Sequence, residues 1–239
     1  MTKYCINYEK ILKRAKKVEK KGAHRFSLVT SGKKLTEEEF EKVISIYETL
    51  SEQVDLDLCA SHGEVTYKQA LALKKAGVKM YHHNLETSKD YYNNICTTHT
   101  FEDRIKTIKN ILKADLDICC GGIIGLGESK KDRIKMAFEI KDLGINSIPV
   151  NVLSPIPGTP LEKNSVMSPE EILKTMAVYR YILPDGSIRY AGGRSALKEK
   201  QDIGLRAGIN GMLVGDFLTT VGSNIKEDKK MIKNKGLEI

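Results

Sequence analysis

The sequence predicts an α/β fold of the TIM-type (β/α) barrel kind, incomplete at the N-terminus, with seven of the usual eight strands. Three observations lead there. Seven short β-like runs alternate with helical patterns along the 239 residues. The runs carry one apolar and one polar face, whereas an open parallel sheet covered by helices on both sides would be apolar on both. The chain also opens on a helix, which makes the first strand the missing one. A barrel with its apolar face toward the helices and its polar face toward an enclosed ligand fits all three.

The opening segment "EKILKRAKKVEKK" is a basic helix closed by Gly22. In "RFSLVT", Phe26 and Leu28 share one face and Arg25 and Ser27 the other. Thr36 and Glu39 have capping-box spacing for the next helix. In "LDLCAS", Leu56 and Leu58 oppose Asp57 and Cys59. Gly77 closes a helix before "KMYHHNL", where His82, Asn84 and Glu86 align and His83 points the other way. Thr100 with Asp103 marks another helix start. "DICCGGII" puts Cys119 on the face of Asp117 and Cys120 on that of Ile118 and Ile124. Gly144 closes a helix, and "SIPVNVLS" places Asn151 opposite Val150 and Val152. After the loop "SPIPGTP", Ser168, Pro169 and Glu171 open a helix. "SIRYAG" then sets Arg189 opposite Ile188 and Tyr190, and the last run is "GMLVG".

No repeat, low-complexity tract or linker interrupts this pattern, so residues 1–239 read as one domain. There is no run of 18 apolar residues to cross a membrane, and the N-terminus lacks a secretory pattern, which points to the cytoplasm. The net charge of +8 could serve a nucleic acid, but the lysines are interleaved with glutamates and apolar residues on helices, so solvated helix faces are expected and no nucleic-acid partner. The five cysteines, Cys5, Cys59, Cys96, Cys119 and Cys120, are odd in number and scattered, which excludes a disulfide framework, and no CxxC pair suggests a zinc ribbon.

Cys119, Cys59, Ser27 and Arg189 occupy inward positions on four strands. They could form part of a core, or surround a small iron-sulfur cluster. Gly121, Gly122, Gly125 and Gly127 leave a strand end bare, letting a large ligand approach the backbone, but their spacing does not make the dinucleotide pattern GxGxxG. No strand-end lysine points inward, which disfavours a Schiff-base lyase.

"CCGGIIGLGE" resembles the GxIxGxxE motif of radical S-adenosylmethionine enzymes, with Gly121, Ile123, Gly125 and Glu128 matching. "HRFSLVTSG", "YHHNLETS", "TTHTFEDRI", "NVLSPIPGTPLE" and "SIRYAGGR" together resemble the biotin synthase family from about residue 8 onward. The resemblance implies a four-iron, four-sulfur cluster that cleaves S-adenosylmethionine to a 5'-deoxyadenosyl radical, and a two-iron cluster that donates sulfur to dethiobiotin. A reducing electron donor and a homodimer are also implied. Cys59 and Cys119 match cysteine ligands of the second cluster, Arg189 its arginine ligand, and Arg25 a nearby positive group. Asn84 and Glu86 match the polar pair contacting nucleoside and substrate, and a carboxylate there can accept both ribose hydroxyls. Arg104 matches a group near the methionine carboxylate, and Asn151 a ligand-side polar position. Read without the resemblance, Arg104 could equally be a surface helix residue and Asn84 a turn cap.

Two departures stand out. The family's CxxxCxxC is absent, and Cys5 alone cannot replace three thiolates. The missing motif and the missing strand coincide, so the chain reads as one that begins inside the family's domain. As given it should not generate the radical, and its open strand edges should make it unstable or prone to associate unless a partner covers them. The alternative is a remnant that binds S-adenosylmethionine or a nucleoside without chemistry. Secondly, Ser27 stands where the common pattern has cysteine, and its harder oxygen and higher pKa make a poorer ligand, so the second cluster is a two-iron cluster or a variant of it.

Overall fold

A computed structural model describes residues 7–214 and 225–238, so Cys5 and Gly215 lie outside the described residues. In chain order the elements are α1 (Tyr8–Glu19), β1 (Arg25–Val29), α2 (Glu37–Gln53), β2 (Asp57–Ser61), α3 (Tyr67–Lys75), β3 (Val78–His82), α4 (Lys89–Tyr92), α5 (Phe101–Lys113), β4 (Asp117–Cys119), β5 (Gly122–Ile124), α6 (Lys130–Asp142), β6 (Ser147–Val152), α7 (Pro169–Ile182), β7 (Ser187–Tyr190), a 3-10 segment (Arg194–Lys200), α8 (Gln201–Arg206), β8 (Gly211–Met212) and α9 (Ile225–Lys233). The chain divides into two compact units, one of Met1–His83 with Asp103–Ile118, the other of Asn84–Glu102 with Cys119–Ile239.

In the first unit β1, β2 and β3 run parallel in that order, with Arg25 opposite Asp57 and Ser27 opposite Cys59. β1 alternates, with Arg25 and Ser27 exposed and Phe26 and Leu28 half-buried, whereas β2 and β3 bury consecutive residues, Leu58 to Ala60 and Met80 with Tyr81. A register shift between Leu58 and Cys59 brings Met80, not Lys79, beside Cys59. Thr36 and Glu39 form the anticipated capping box, and Thr66 with Gln69 forms another at the start of α3. The helices contribute Phe40, Val43, Ile46 and Leu50 from α2 and Leu73 from α3 to the buried core.

Beside Cys59 lies a buried polar chain. The His62 ring meets Thr30 Oγ1 through Nδ1 at 3.1 Å and Tyr47 Oη through Nε2 at 2.9 Å. Tyr47 Oη also donates to the Cys59 carbonyl at 3.1 Å, and the His62 amide donates to Tyr81 Oη at 3.0 Å. Both ring nitrogens are engaged without a carboxylate, so nothing offsets the cost of charging the ring in this dry setting.

In the second unit β6 is the centre. Cys119 pairs with Ser147 and Gly122–Ile124 with Val150–Val152 on one side; Ser147–Val150 pair with Ser187–Tyr190 on the other, and Arg189 then pairs with Gly211 of β8. All these pairings are parallel, as short βαβ crossovers require. Ser168 caps α7 with Pro169 in its first turn, and Ser129 with Asp132 closes a capping box on α6. Gly22, Gly77 and Gly144 all take positive φ at helix ends.

Two expected runs end differently. "KMYHHNL" is strand only to His82, because Glu86 has φ 71° and breaks the extended backbone, leaving Asn84 and Glu86 beyond the strand. "DICCGGII" is interrupted after Cys119, because Gly121 turns its backbone away from β6: its amide donates to Asn84 Oδ1 and its carbonyl accepts from the Leu85 amide. Counted as one interrupted strand, the parallel strands among the described residues number seven.

Burial lowers the His62 pKa to about 4, below the roughly 6.5 of an unfolded histidine. The unfolded chain therefore binds the extra proton first, and the stability due to neutral His62 is complete above pH 6.5 and lost as pH falls toward 4. Urea unfolding at pH 7 and pH 4.5 will show a loss on the order of 2–3 kcal/mol that is absent in His62→Gln.

Candidate active site

The second unit holds the densest set of candidate side chains. Asn84 is a hub: its Oδ1 accepts from the Gly121 amide at 3.1 Å and its Nδ2 donates to Glu86 Oε2 at 3.3 Å. The Ile123 amide donates to the Glu86 carbonyl, so Glu86 and Gly122 bridge in parallel. On the other flank Asn151 Nδ2 donates to the Gly122 carbonyl at 3.2 Å and its Oδ1 accepts from the Gly192 amide at 2.9 Å. Asn84, Gly121, Gly122, Asn151 and Gly192 thus form one continuous row in which two side-chain amides bond the backbone of three glycines. Glu86 is half-buried, and its left-handed backbone is costly for a non-glycine residue; the two backbone bonds on its carbonyl and bridge hold it there.

The glycines have a second reason. A Cβ on Gly121 would fall onto the Pro149 carbonyl, and one on Gly122 onto Met136 Sδ and the Glu86 carbonyl. The missing side chains are therefore filled by the protein's own atoms, which corrects the expectation that all four glycines leave bare space. Gly125 and Gly127 are required by φ of 91° and 107°.

Arg189 Nη2 lies 2.7 Å from Cys119 Sγ, a direct contact between two predicted cluster ligands. Cys120 is fully buried, as a packing residue should be. In the first unit, Ser27 and Cys59 are register partners on one sheet face, Cys59 buried and Ser27 exposed. Arg25 there pairs with Asp57 at 3.6 Å and reaches Met80 Sδ at 3.5 Å. Arg104 is half-buried in the first turn of α5. Among the described residues no three His, Cys, Asp or Glu side chains converge on a metal position, so any cluster here draws on Ser, Arg or exogenous ligands as well as thiolates.

The sequence matches the Radical SAM superfamily over residues 4–140 and the Biotin and Thiamin Synthesis associated domain over residues 149–238. It is 57% identical over 234 residues to a biotin synthase of Acetivibrio thermocellus, covering 98% of this chain and 73% of that protein. A Clostridioides difficile biotin synthase is 56% identical, with 98% and 72% covered. The chain belongs to the biotin synthase family.

The crystal structure of a methylornithine synthase superposes with a TM-score of 0.81 at 19% identity, covering 98% of this chain and 74% of that one. The FeFe-hydrogenase maturase HydG from Carboxydothermus hydrogenoformans also gives 0.81 at 19% identity, over 97% and 59%. The fold is accordingly the α/β TIM-type barrel of radical S-adenosylmethionine enzymes, in incomplete form. Biotin synthases use S-adenosylmethionine, a four-iron, four-sulfur cluster and a two-iron, two-sulfur cluster, and this membership makes the chain a sulfurtransferase by family. The 239 residues contain no CxxxCxxC and so do not fit the first cluster; the buried thiol Cys59 and the Cys119–Arg189 contact fit the second.

One cluster escaped the sequence reading. Cys96 Sγ sits 3.4 Å from His99 Nδ1 and 3.6 Å from Thr98 Oγ1, in the half-exposed segment between α4 and α5. Its signal was the spacing "CTTH" just before a helix. Burial raises the Cys96 pKa, but hydrogen bonds from Thr98, Tyr92 and His99 outweigh it, and the net shift is downward.

Two outcomes follow from this geometry. Gly121→Ala will lower the urea-unfolding free energy by about 3 kcal/mol, because backbone, not a flexible side chain, occupies the Cβ position. Iodoacetamide at neutral pH will alkylate Cys96 about tenfold faster than Cys59, Cys119 or Cys120, as peptide mass spectrometry will read, and Thr98→Val will reduce the difference.

Proposed function

We propose that this chain is a biotin synthase-type sulfurtransferase domain that binds S-adenosylmethionine and dethiobiotin and holds the sulfur-donor part of the site, and that without CxxxCxxC it does not itself generate the radical that sulfur insertion requires. The observation that carries this is the Cys119–Arg189 contact of 2.7 Å at a parallel strand pair, inside a chain with over 50% identity to biotin synthases. The auxiliary cluster, when bound, is the source of the inserted sulfur. By their match to the family, Cys59, Cys119 and Arg189 would be its donors, with Ser27, the register partner of Cys59, as a weaker oxygen donor. No step is drawn through the four-iron cluster.

The remaining residues bind and orient. Glu86, held by Asn84 Nδ2, presents a carboxylate to the two ribose hydroxyls of the nucleoside. Gly121 and Gly122, with Asn151, form the backbone wall beside it, since Asn84 and Asn151 already satisfy the Gly121 amide and the Gly122 carbonyl and so keep that wall rigid. Arg104 pairs with the methionine carboxylate. A one-electron donor, a cytoplasmic setting and a homodimer complete the reading. We read the chain as one barrel domain, because the boundary between its two units cuts through α5 and β4 instead of a linker. No helix among the described residues is long and apolar enough to cross a membrane.

Anaerobic reconstitution with iron and sulfide tests the proposal. The purified chain should retain iron with a visible sulfide-to-iron absorption, and Cys119→Ala or Cys59→Ala should each remove most of it while circular dichroism stays unchanged. Equal iron in the wild type and both variants would refute these ligand assignments.

A further inference from the structure

The turn Gly125–Glu128 is held from both sides by one arginine. Glu128 Oε1 accepts from the Gly125 amide at 2.9 Å, closing the turn, and the same oxygen lies 3.7 Å from Arg133 Nε. Arg133 Nη1 reaches Met167 Sδ at 3.4 Å, and Met167 in turn packs on Gly125, where an added Cβ would meet its Cγ at 3.1 Å. The third arm, Nη2, pairs with Glu171 Oε1 at 2.8 Å in the first turn of α7. The side chains of Arg133 and Glu128 are only 9% and 2% exposed, so neither charge is satisfied by solvent. Glu128 Oε2 and the nearby Tyr179 hydroxyl are buried without a protein partner, which makes the Arg133 contact the main compensation for the Glu128 charge.

We propose that Arg133 is a positioning residue for S-adenosylmethionine: it fixes the Gly125–Glu128 turn, and thereby the backbone that meets the nucleoside, by acting through Glu128 and Met167. The inference rests on the proposed S-adenosylmethionine site, whose Gly121–Gly122 wall continues through β5 directly into this turn. Three separate contacts from one planar fork explain why arginine stands there, since a lysine ammonium can approach only one or two of these partners. Without the guanidinium, the buried Glu128 carboxylate loses the charge that compensates it, and its hold on the Gly125 amide weakens.

The test uses the whole chain with Arg133→Met, Arg133→Lys, Glu128→Gln and the double variant Arg133→Met/Glu128→Gln. S-adenosylmethionine affinity is measured by calorimetry and exchange of the Gly125 amide by hydrogen-deuterium exchange. Arg133→Met should weaken binding about tenfold, or 1.4 kcal/mol, and speed Gly125 exchange. Arg133→Lys, which keeps the charge and guards against misfolding, should fall between the wild type and Arg133→Met in both. Adding Glu128→Gln to Arg133→Met should change affinity by less than about twofold, because both act through one contact. A merely structural arginine would lower the thermal midpoint and leave affinity and Gly125 exchange alone, and that result would overturn the inference while the functional reading stands. If the wild type itself binds no S-adenosylmethionine, the reading fails and the inference fails with it.

Discussion

The candidate site depends on one substitution in the hydrogen-bond pattern: an asparagine side chain, Asn84, stands in for strand backbone at Gly121, and a second, Asn151, bonds the Gly122 carbonyl where the strand resumes. A parallel ladder would hold this segment to β6 throughout, but Asn84 draws the Gly121 amide to itself and Asn151 takes the Gly122 carbonyl. The strand therefore breaks after Cys119 and resumes at Gly122. The break has a chemical consequence. It lets Cys119 keep the sheet parity that brings it to Arg189, while Glu86 and the glycine backbone form a polar ledge one residue pair further on. Remove the Asn84 amide and the Gly121 N–H loses its acceptor, a cost of about 1–3 kcal/mol.

Arginine and sulfur recur together. Arg25 meets Met80, Arg133 meets Met167, Arg194 meets Met212 and Arg189 meets Cys119, at 3.5, 3.4, 3.4 and 2.7 Å. The guanidinium is weakly hydrated and the sulfur polarizable, so such contacts are natural where strand side chains leave water. Methionine can do no more than pack in this way. Cysteine can also ligate, which separates Arg189 from the other three.

The fold was readable because alternation in strands and capping signals at helix starts are local. Leu58 and Ala60 against Asp57, Ser168 with Pro169 and Glu171, and the helix-ending Gly22, Gly77 and Gly144 all fall where the pattern puts them. Parity also put Cys119 and Cys120 on opposite faces; both are buried, and the Cys119 sulfur meets Arg189. What escaped was long-range. Nothing in "KMYHHNL" says that Glu86 takes a left-handed φ, because that conformation is held by Ile123 and Gly122, more than 30 residues on. Nothing in "KKDRIK" distinguishes Arg133 from its solvated lysine neighbours, because its burial depends on Glu128 and on Glu171 of α7. The glycines looked like space for a ligand, when Pro149 and Met136 already fill that space.

Charge balance sets Arg189 apart from Arg133 and Arg194 in the same unit. Arg133 is matched by the carboxylates of Glu128 and Glu171, and Arg194 by both oxygens of Asp228 at 2.6 and 2.8 Å. Those partners arrive with their negative charge, so each contact is complete within the polypeptide and serves to close it. Arg189 meets a sulfur instead, and a sulfur carries full negative charge only when ionised or bound to a metal. On the proposed reading, Arg189 and Cys119 together offer the auxiliary cluster one cation and one soft donor. Cys120, one residue away but on the opposite face among Ile118 and Ile124, is simply packed.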